Sequence, residues 1–240
     1  MTEPIRARPV LGIFGGMGPV ASAAFLTTLY EAASFGREQD APACILLSDP
    51  CVPDRTEAMR VGQEEEVLAH FVDAMERLDR AGATRVVAAC VSIHHWIPSL
   101  PPPLRERLIS LVDVIIDEVG AAGTKSLLLC SSGARAARIF ERHPRWSSVA
   151  GLVVLPDAAD QAQVHEWIFE IKKHRLPHGT VQGFCDLVAR YRAQSLIAGC
   201  SELHILAKAL RAHPGAPPVI DPLETIARDP ARFMEVCGAA

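Results

Sequence analysis

No two cysteines of this chain stand in a Cys-x-x-Cys pair, so the sequence offers neither a zinc knuckle nor a thioredoxin-type motif. There are seven cysteines, at 44, 51, 90, 130, 185, 200 and 237. The number is odd and the opening Met1-Thr2-Glu3-Pro4-Ile5-Arg6 lacks the apolar core of a leader. Free thiols in a reducing cytoplasm are therefore expected. Long apolar runs are also missing: Ser126 to Cys130 and Leu152 to Leu155 are far too short to cross a bilayer. Basic clusters are absent and the net charge is -4, which leaves nucleic-acid binding without electrostatic support. No Gly-x-Ser-x-Gly elbow occurs. The glycines at 12, 15, 16 and 18 miss the Gly-x-Gly-x-x-Gly spacing and run straight into Pro19, which argues against a dinucleotide loop.

What is present is an ordinary globular composition, 49% hydrophobic and 22% charged, over 240 residues. That length suffices for one large domain or two small lobes with real cores. Apolar strand-like runs alternate with amphipathic helical stretches, which predicts an α/β fold with mostly parallel strands. Strands are expected at Val10 to Phe14, Cys44 to Leu47, Arg85 to Ala89, Ser126 to Leu129, Leu152 to Leu155 and Ser195 to Ala198. Helices are expected from Pro19 to Ala33, around Val67 to Leu78, from Ala134 to Phe140, around Val181 to Tyr191 and from Glu202 to Leu210. The run Pro101-Pro102-Pro103 marks a turn. A short repeat links Val86-Val87-Ala88-Ala89-Cys90-Val91-Ser92-Ile93-His94 to Leu196-Ile197-Ala198-Gly199-Cys200-Ser201-Glu202-Leu203-His204. Each copy is an apolar strand, a cysteine just past its end, and a histidine four residues on. Parallel α/β folds place their chemistry at the carboxyl ends of strands. Two facing lobes would then offer one cysteine each to a shared cleft.

Four segments are specific. Gly12-Ile13-Phe14-Gly15-Gly16-Met17-Gly18-Pro19 resembles the amino-terminal signature of aspartate racemases. Ser48-Asp49-Pro50-Cys51-Val52-Pro53-Asp54-Arg55-Thr56 is similar to that family's SDPxxPDRT segment. Ala89-Cys90-Val91-Ser92-Ile93-His94 falls where a CNTxH-like motif is usual, and Gly199-Cys200-Ser201-Glu202-Leu203 is similar to GCTEL. The resemblance to the cofactor-independent aspartate/glutamate racemases covers residues 12 to about 206, in family order. It implies two similar α/β lobes, each a mostly parallel sheet flanked by helices, with the site in the cleft between them. We place residues 1–112 with 211–240 in the first lobe and 113–210 in the second. The resemblance further implies no pyridoxal phosphate, metal or nucleotide, a small acidic substrate, and a homodimer.

Inverting a stereocentre needs a base on one face of a carbon and an acid on the other. A thiol's ordinary pKa of about 8.5 lets either form be populated near neutrality. The resemblance assigns these roles to Cys90 and Cys200, with sulfurs expected roughly 7–8 Å apart across the reacting carbon. Arg55 is expected on a loop beside the cleft as a carboxylate clamp. Lys172, or Lys173 in its place, is the candidate second contact, because the segment through Leu176 to Gly179 resembles the family's lysine-bearing stretch. Gly15, Gly16 and Met17 would bring backbone close to substrate. Ser92, Ser131 and Ser201 would donate or accept hydrogen bonds to it, while Glu202 and His94 would orient a thiol or tune its pKa. Two departures bear on the substrate. Val91 stands where asparagine is usual, and Ala134 where a threonine is usual. The expected consequence is weak turnover of free aspartate, improved by Val91→Asn, and a substrate that is a less polar or modified acid. Decarboxylation or isomerisation of a dicarboxylic acid, or a binding role without catalysis, are the alternatives.

Overall fold

The protein is described by a computed structural model, which covers residues 8–32, 36–173 and 179–234. The first half runs β1 (Val10–Gly15), α1 (Pro19–Ala32), β2 (Ala43–Ser48), α2 (Arg55–Val61), α3 (Glu64–Arg80), β3 (Arg85–Ala88), a 3-10 stretch Ser92–Ser99, α4 (Pro102–Arg107), β4 (Leu108–Ile109) and α5 (Leu111–Ala122). The second runs β5 (Ser126–Leu129), α6 (Ser132–Ala136), β6 (Val153–Val154), α7 (Ala158–Lys172), α8 (Thr180–Arg190), β7 (Ser195–Ala198), α9 (Glu202–Ala212), β8 (Val219–Ile220) and α10 (Pro222–Arg228). The strands make two four-stranded sheets, ordered β2-β1-β3-β4 and β6-β5-β7-β8, with every pairing parallel. One winding order thus occurs twice. β3 and β7 hold equivalent places, and Cys90 and Cys200 each lie two residues beyond them.

Burial explains why these strands read so clearly. Parallel sheets are covered on both faces and so become continuous apolar runs; Ser126–Leu129 and Ser195–Ala198 are buried at every position. Val67, Phe71, Ala74, Met75 and Leu78 give α3 one buried face against the first sheet. Leu187, Val188 and Phe184 do the same for α8 in the second lobe. A third apolar cluster joins the lobes: Leu11, Ile13 and Val87 of the first sheet share it with Leu128 and Ile197 of the second, and with α5 and α10. The seam is also tight at the surface of α6. A Cβ on Gly133 would fall 2.8 Å from the Cα of Thr56 on α2, so only glycine allows this approach.

Several expectations are corrected. The residues from Arg55 are not a loop: Asp54 accepts the Glu57 N–H at 3.0 Å and starts α2. The proline run both ends the 3-10 stretch and begins α4, since proline at the first helical positions costs no hydrogen bond. The helix expected through Phe140 stops at Ala136, and Arg138 takes a positive φ of 52°. The terminal segment divides: Val219–Ile220 pair with β7 in the second sheet, and α10 then returns to pack on α1. Residues 211–240 therefore do not belong wholly to the first lobe. No helix among the described residues is long and apolar enough to cross a membrane.

Candidate active site

Beyond both β3 and β7 the chain makes a tight turn that leads into a cysteine. The Cys90 N–H donates to Ala88 O at 2.7 Å, and the Gly199 N–H donates to Ile197 O at 2.9 Å. Gly199 has no room for a side chain, because a Cβ there would fall 2.8 Å from Leu129 O and 3.0 Å from Cys130 Cβ. Cys90 and Cys200 are 6% and 7% exposed, free, and close enough for a charge on Cys90 to raise the pKa of Cys200. The two lobes also touch through Ser92 Oγ and Ser131 Oγ, 3.2 Å apart. Ser131 caps α6 by accepting the Ala134 N–H at 3.2 Å.

Burial and a hydrogen bond favour the protonated thiol at Cys200. Its Sγ–H donates to Glu202 Oε2 at 2.7 Å. Burial pushes its pKa well above the ordinary range, the Glu202 charge adds to this, and Lys172 pulls against it. Ser201 Oγ also donates to Glu202 Oε2, at 3.4 Å. Glu202 is itself 2% exposed, and its Oε1 has no partner. That oxygen lies against Gly18, where an added Cβ would come within 2.2 Å of it. Lys172 closes α7 with its Nζ 4.6 Å from the Phe169 ring centre. Lys173 is instead exposed and paired with Glu170 at 2.8 Å, while the charge of Lys172 acts on Cys200. The stretch at Leu176 that suggested it lies outside the described residues, as does Cys237.

Arg55 is 6% exposed and meets only backbone oxygens: Met17 O at 2.7 Å, Pro53 O at 2.8 Å and Val52 O at 3.2 Å. Its Nε has no partner, and no carboxylate among the described residues pairs with it. A buried cation without an anion is costly, and an incoming carboxylate would relieve it. Met17 packs its side chain in the first lobe's apolar cluster, so its link to the site is the carbonyl it gives to Arg55. Gly16 takes a φ of 91° and packs on the Asp49 backbone, 2.3 Å from where a Cβ would stand.

His94 serves the Cys90 backbone rather than its thiol. Its Nδ1–H donates to Cys90 O at 3.0 Å, and its Nε2 accepts the Leu111 N–H at 2.9 Å, which fixes a neutral tautomer. Burial depresses its pKa from 6.5 to about 4. The unfolded chain takes up this proton as pH falls through 6.5, and the folded protein resists until about 4. Stability from this group is therefore full above 6.5 and lost between 6.5 and 4, on the order of 3 kcal/mol in all. Urea titrations at pH 7 and pH 4.5 should show that loss, and His94→Gln should flatten it. Its repeat partner differs: His204 is pushed down by burial, but Asp221 at 2.6 Å, together with Glu224 and the Ala24 backbone, outweighs this and leaves its pKa raised. Thr28 Oγ1 lies 3.0 Å from its other nitrogen.

Val91 turns out to be 1% exposed and packed in the apolar cluster between the lobes, together with Ala134. Two residues that the motifs did not single out stand nearby on α7. Gln161 Nε2 donates to Cys130 O at 2.8 Å, and Ser132 N–H donates to His165 Nδ1 at 3.2 Å. Their positions, with Lys172, follow the i, i+4, i+11 spacing of one helix face, which is the only trace they leave in the sequence.

Comparison with known proteins agrees with this build. The family model described as Asp/Glu/hydantoin racemase matches residues 14–229. Aspartate racemase from Picrophilus torridus is 22% identical, with a TM-score of 0.78 over 94% of this chain and 93% of that one. An aspartate racemase homologue from Pyrococcus horikoshii OT3 is 19% identical, with a TM-score of 0.69 over 95% and 99%. Allantoin racemase from Klebsiella pneumoniae shares the fold at 12% identity, with a TM-score of 0.57 over 96% and 90%. At such identities the structures speak for the fold, while the match along most of the sequence speaks for descent: the chain belongs to the Asp/Glu/hydantoin racemase family.

Proposed function

We propose that the protein racemises an acidic amino acid or a related carbon acid, using Cys90 and Cys200 as a two-base pair and no cofactor. The observation that carries this is the pairing of two buried thiols, each past the same strand of a twice-used sheet, within electrostatic reach of one another. In one direction the Cys90 thiolate removes the α-proton while the Cys200 thiol delivers its proton to the opposite face. The electron pair of the broken C–H bond rests on the carbanion and its carboxylate, then forms the new C–H bond. Cys90 ends as thiol and Cys200 as thiolate, the arrangement that the opposite enantiomer needs. Glu202, at 2.7 Å, can take or return the Cys200 proton between turnovers. Arg55 and Lys172 supply positive charge for the substrate carboxylates, and Ser92, Ser131 and Ser201 supply hydroxyls. The reaction needs free thiols, in keeping with a cytoplasmic enzyme, and a homodimer is the expected assembly.

The packing of Val91 and Ala134 favours a less polar or modified acid over free aspartate, or a decarboxylation or isomerisation through the same carbanion. It also alters what an asparagine at 91 would do. The amide would enter an apolar cluster, so Val91→Asn is expected to cost about 1–3 kcal/mol of stability, read as a lower urea midpoint, instead of raising turnover. Proton NMR in deuterium oxide with L- and D-acids tests the reaction itself. Exchange at Cα with inversion is the expected result. Loss of carbon dioxide would make the enzyme a decarboxylase, and no change with any acid would end the catalytic reading.

A further inference from the structure

The helix α7 carries a polar group whose use the two-thiol reaction leaves open. Gln161 is 8% exposed. Its Nε2–H donates to Cys130 O at 2.8 Å, which fixes the orientation of the amide. Its Oε1 is then buried and has no partner. An acceptor in that state costs about 1–3 kcal/mol unless something donates to it. The place is significant. Cys130 ends β5 beside Gly199, the residue before Cys200, and precedes Ser131, which touches Ser92 across the lobes. One turn along the same face, His165 accepts from Ser132 N–H through Nδ1, so its other nitrogen carries the hydrogen. Lys172 follows on that face and is felt by both His165 and Cys200.

From this we infer that Gln161 is a specificity-determining residue whose Oε1 accepts an N–H from the nitrogen on the substrate's reacting carbon. Gln161 suits this role because its oxygen is a neutral acceptor, buried and left without a donor. Val91 and Ala134 are packed away in the apolar cluster, and the Glu202 carboxylate already holds the Cys200 thiol. Arg55 and Lys172 are cations and can only repel or ignore a donor. Gln161 supplies an acceptor without adding a negative charge beside a carbanion. The nitrogen it reads is either a free α-ammonium or a carbamoylated α-nitrogen, which present the same N–H chemistry. The inference rests on the proposed reading of the cleft as a carbon-acid site.

The test is calorimetric binding of L-aspartate, N-carbamoyl-L-aspartate and succinate to the wild type, Gln161→Met and Gln161→Leu. Succinate keeps both carboxylates and lacks the nitrogen. Wild type should bind at least one N–H probe about tenfold or more tightly than succinate, and that probe identifies the nitrogen. Both variants should lose that preference while succinate binding stays within about twofold. Equal loss for all three probes would mean that Gln161 only holds the Cys130 carbonyl, and would overturn the inference. So would a wild type without preference for either N–H probe, including one that binds none of them; that ratio decides alone should neither variant fold. Exchange in deuterium oxide separates the two ideas. Exchange without N–H preference sinks only the role of Gln161, and preference without exchange sinks only the racemase reading.

Discussion

Changing either Cys90 or Cys200 to serine should lower racemisation by about 10²–10⁴-fold, the range that a positioned acid or base contributes. A serine hydroxyl is nearly isosteric but holds its proton far more firmly, so it serves poorly as the base. The two variants should fail differently. Each keeps one working thiol, so solvent exchange at Cα of a single enantiomer should outlast inversion, and the favoured enantiomer should switch between variants. Polarimetry and proton NMR in deuterium oxide, run on both enantiomers of the active acid, read this directly. Turnover within about tenfold of wild type for either variant would remove that cysteine from the chemistry. Both thiols are buried at 6% and 7% exposure, and serine there should leave the fold intact. The Glu202 contact at Cys200 survives as a hydroxyl donor, so a large activity loss with little change in melting temperature is the expected signature.

Replacing Arg55 by methionine should cost about 100-fold or more in kcat/KM, close to 2.7 kcal/mol of transition-state binding. The expected effect on the stability of the unliganded protein is the balance of two opposing contributions. Arg55 is 6% exposed, held by three carbonyls, and lacks a paired carboxylate among the described residues. Removing such a charge from an apolar setting relieves part of its desolvation cost, although three backbone oxygens lose a donor. The net change in urea midpoint should therefore be small, while the response to anions should vanish. Succinate should raise the melting temperature of wild type and leave Arg55→Met unmoved. Activity within about threefold of wild type, or an equal succinate response in both proteins, would show that Arg55 is a structural cation bracing Met17 and the start of α2.

The strands, the parallel arrangement and the two cysteines were legible in the sequence because each has a local cause. A doubly covered strand must be apolar along its length, as Ser195–Ala198 and Ser126–Leu129 are. The cysteines stand out because the same strand-cysteine-histidine order occurs twice. Other features were hidden. The helix at Arg55 depends on the Asp54 cap, which also reads as part of a turn. Val219–Ile220 is too short for any periodicity and joins the second sheet only because β7 offers an open edge. Packing alone decided the surroundings of each motif residue. It set Val91 in the apolar cluster, gave His94 to the Cys90 carbonyl and left Arg55 without a counter-ion. It also brought Gln161, thirty-nine residues before Cys200 in sequence, to the end of the neighbouring strand. Sequence by itself determined the family, the parallel α/β build and the repeated strand-cysteine motif, since those follow from residue type and order. The charge, partners and exposure of each group were decided by the tertiary structure, because they depend on what distant segments bring against it.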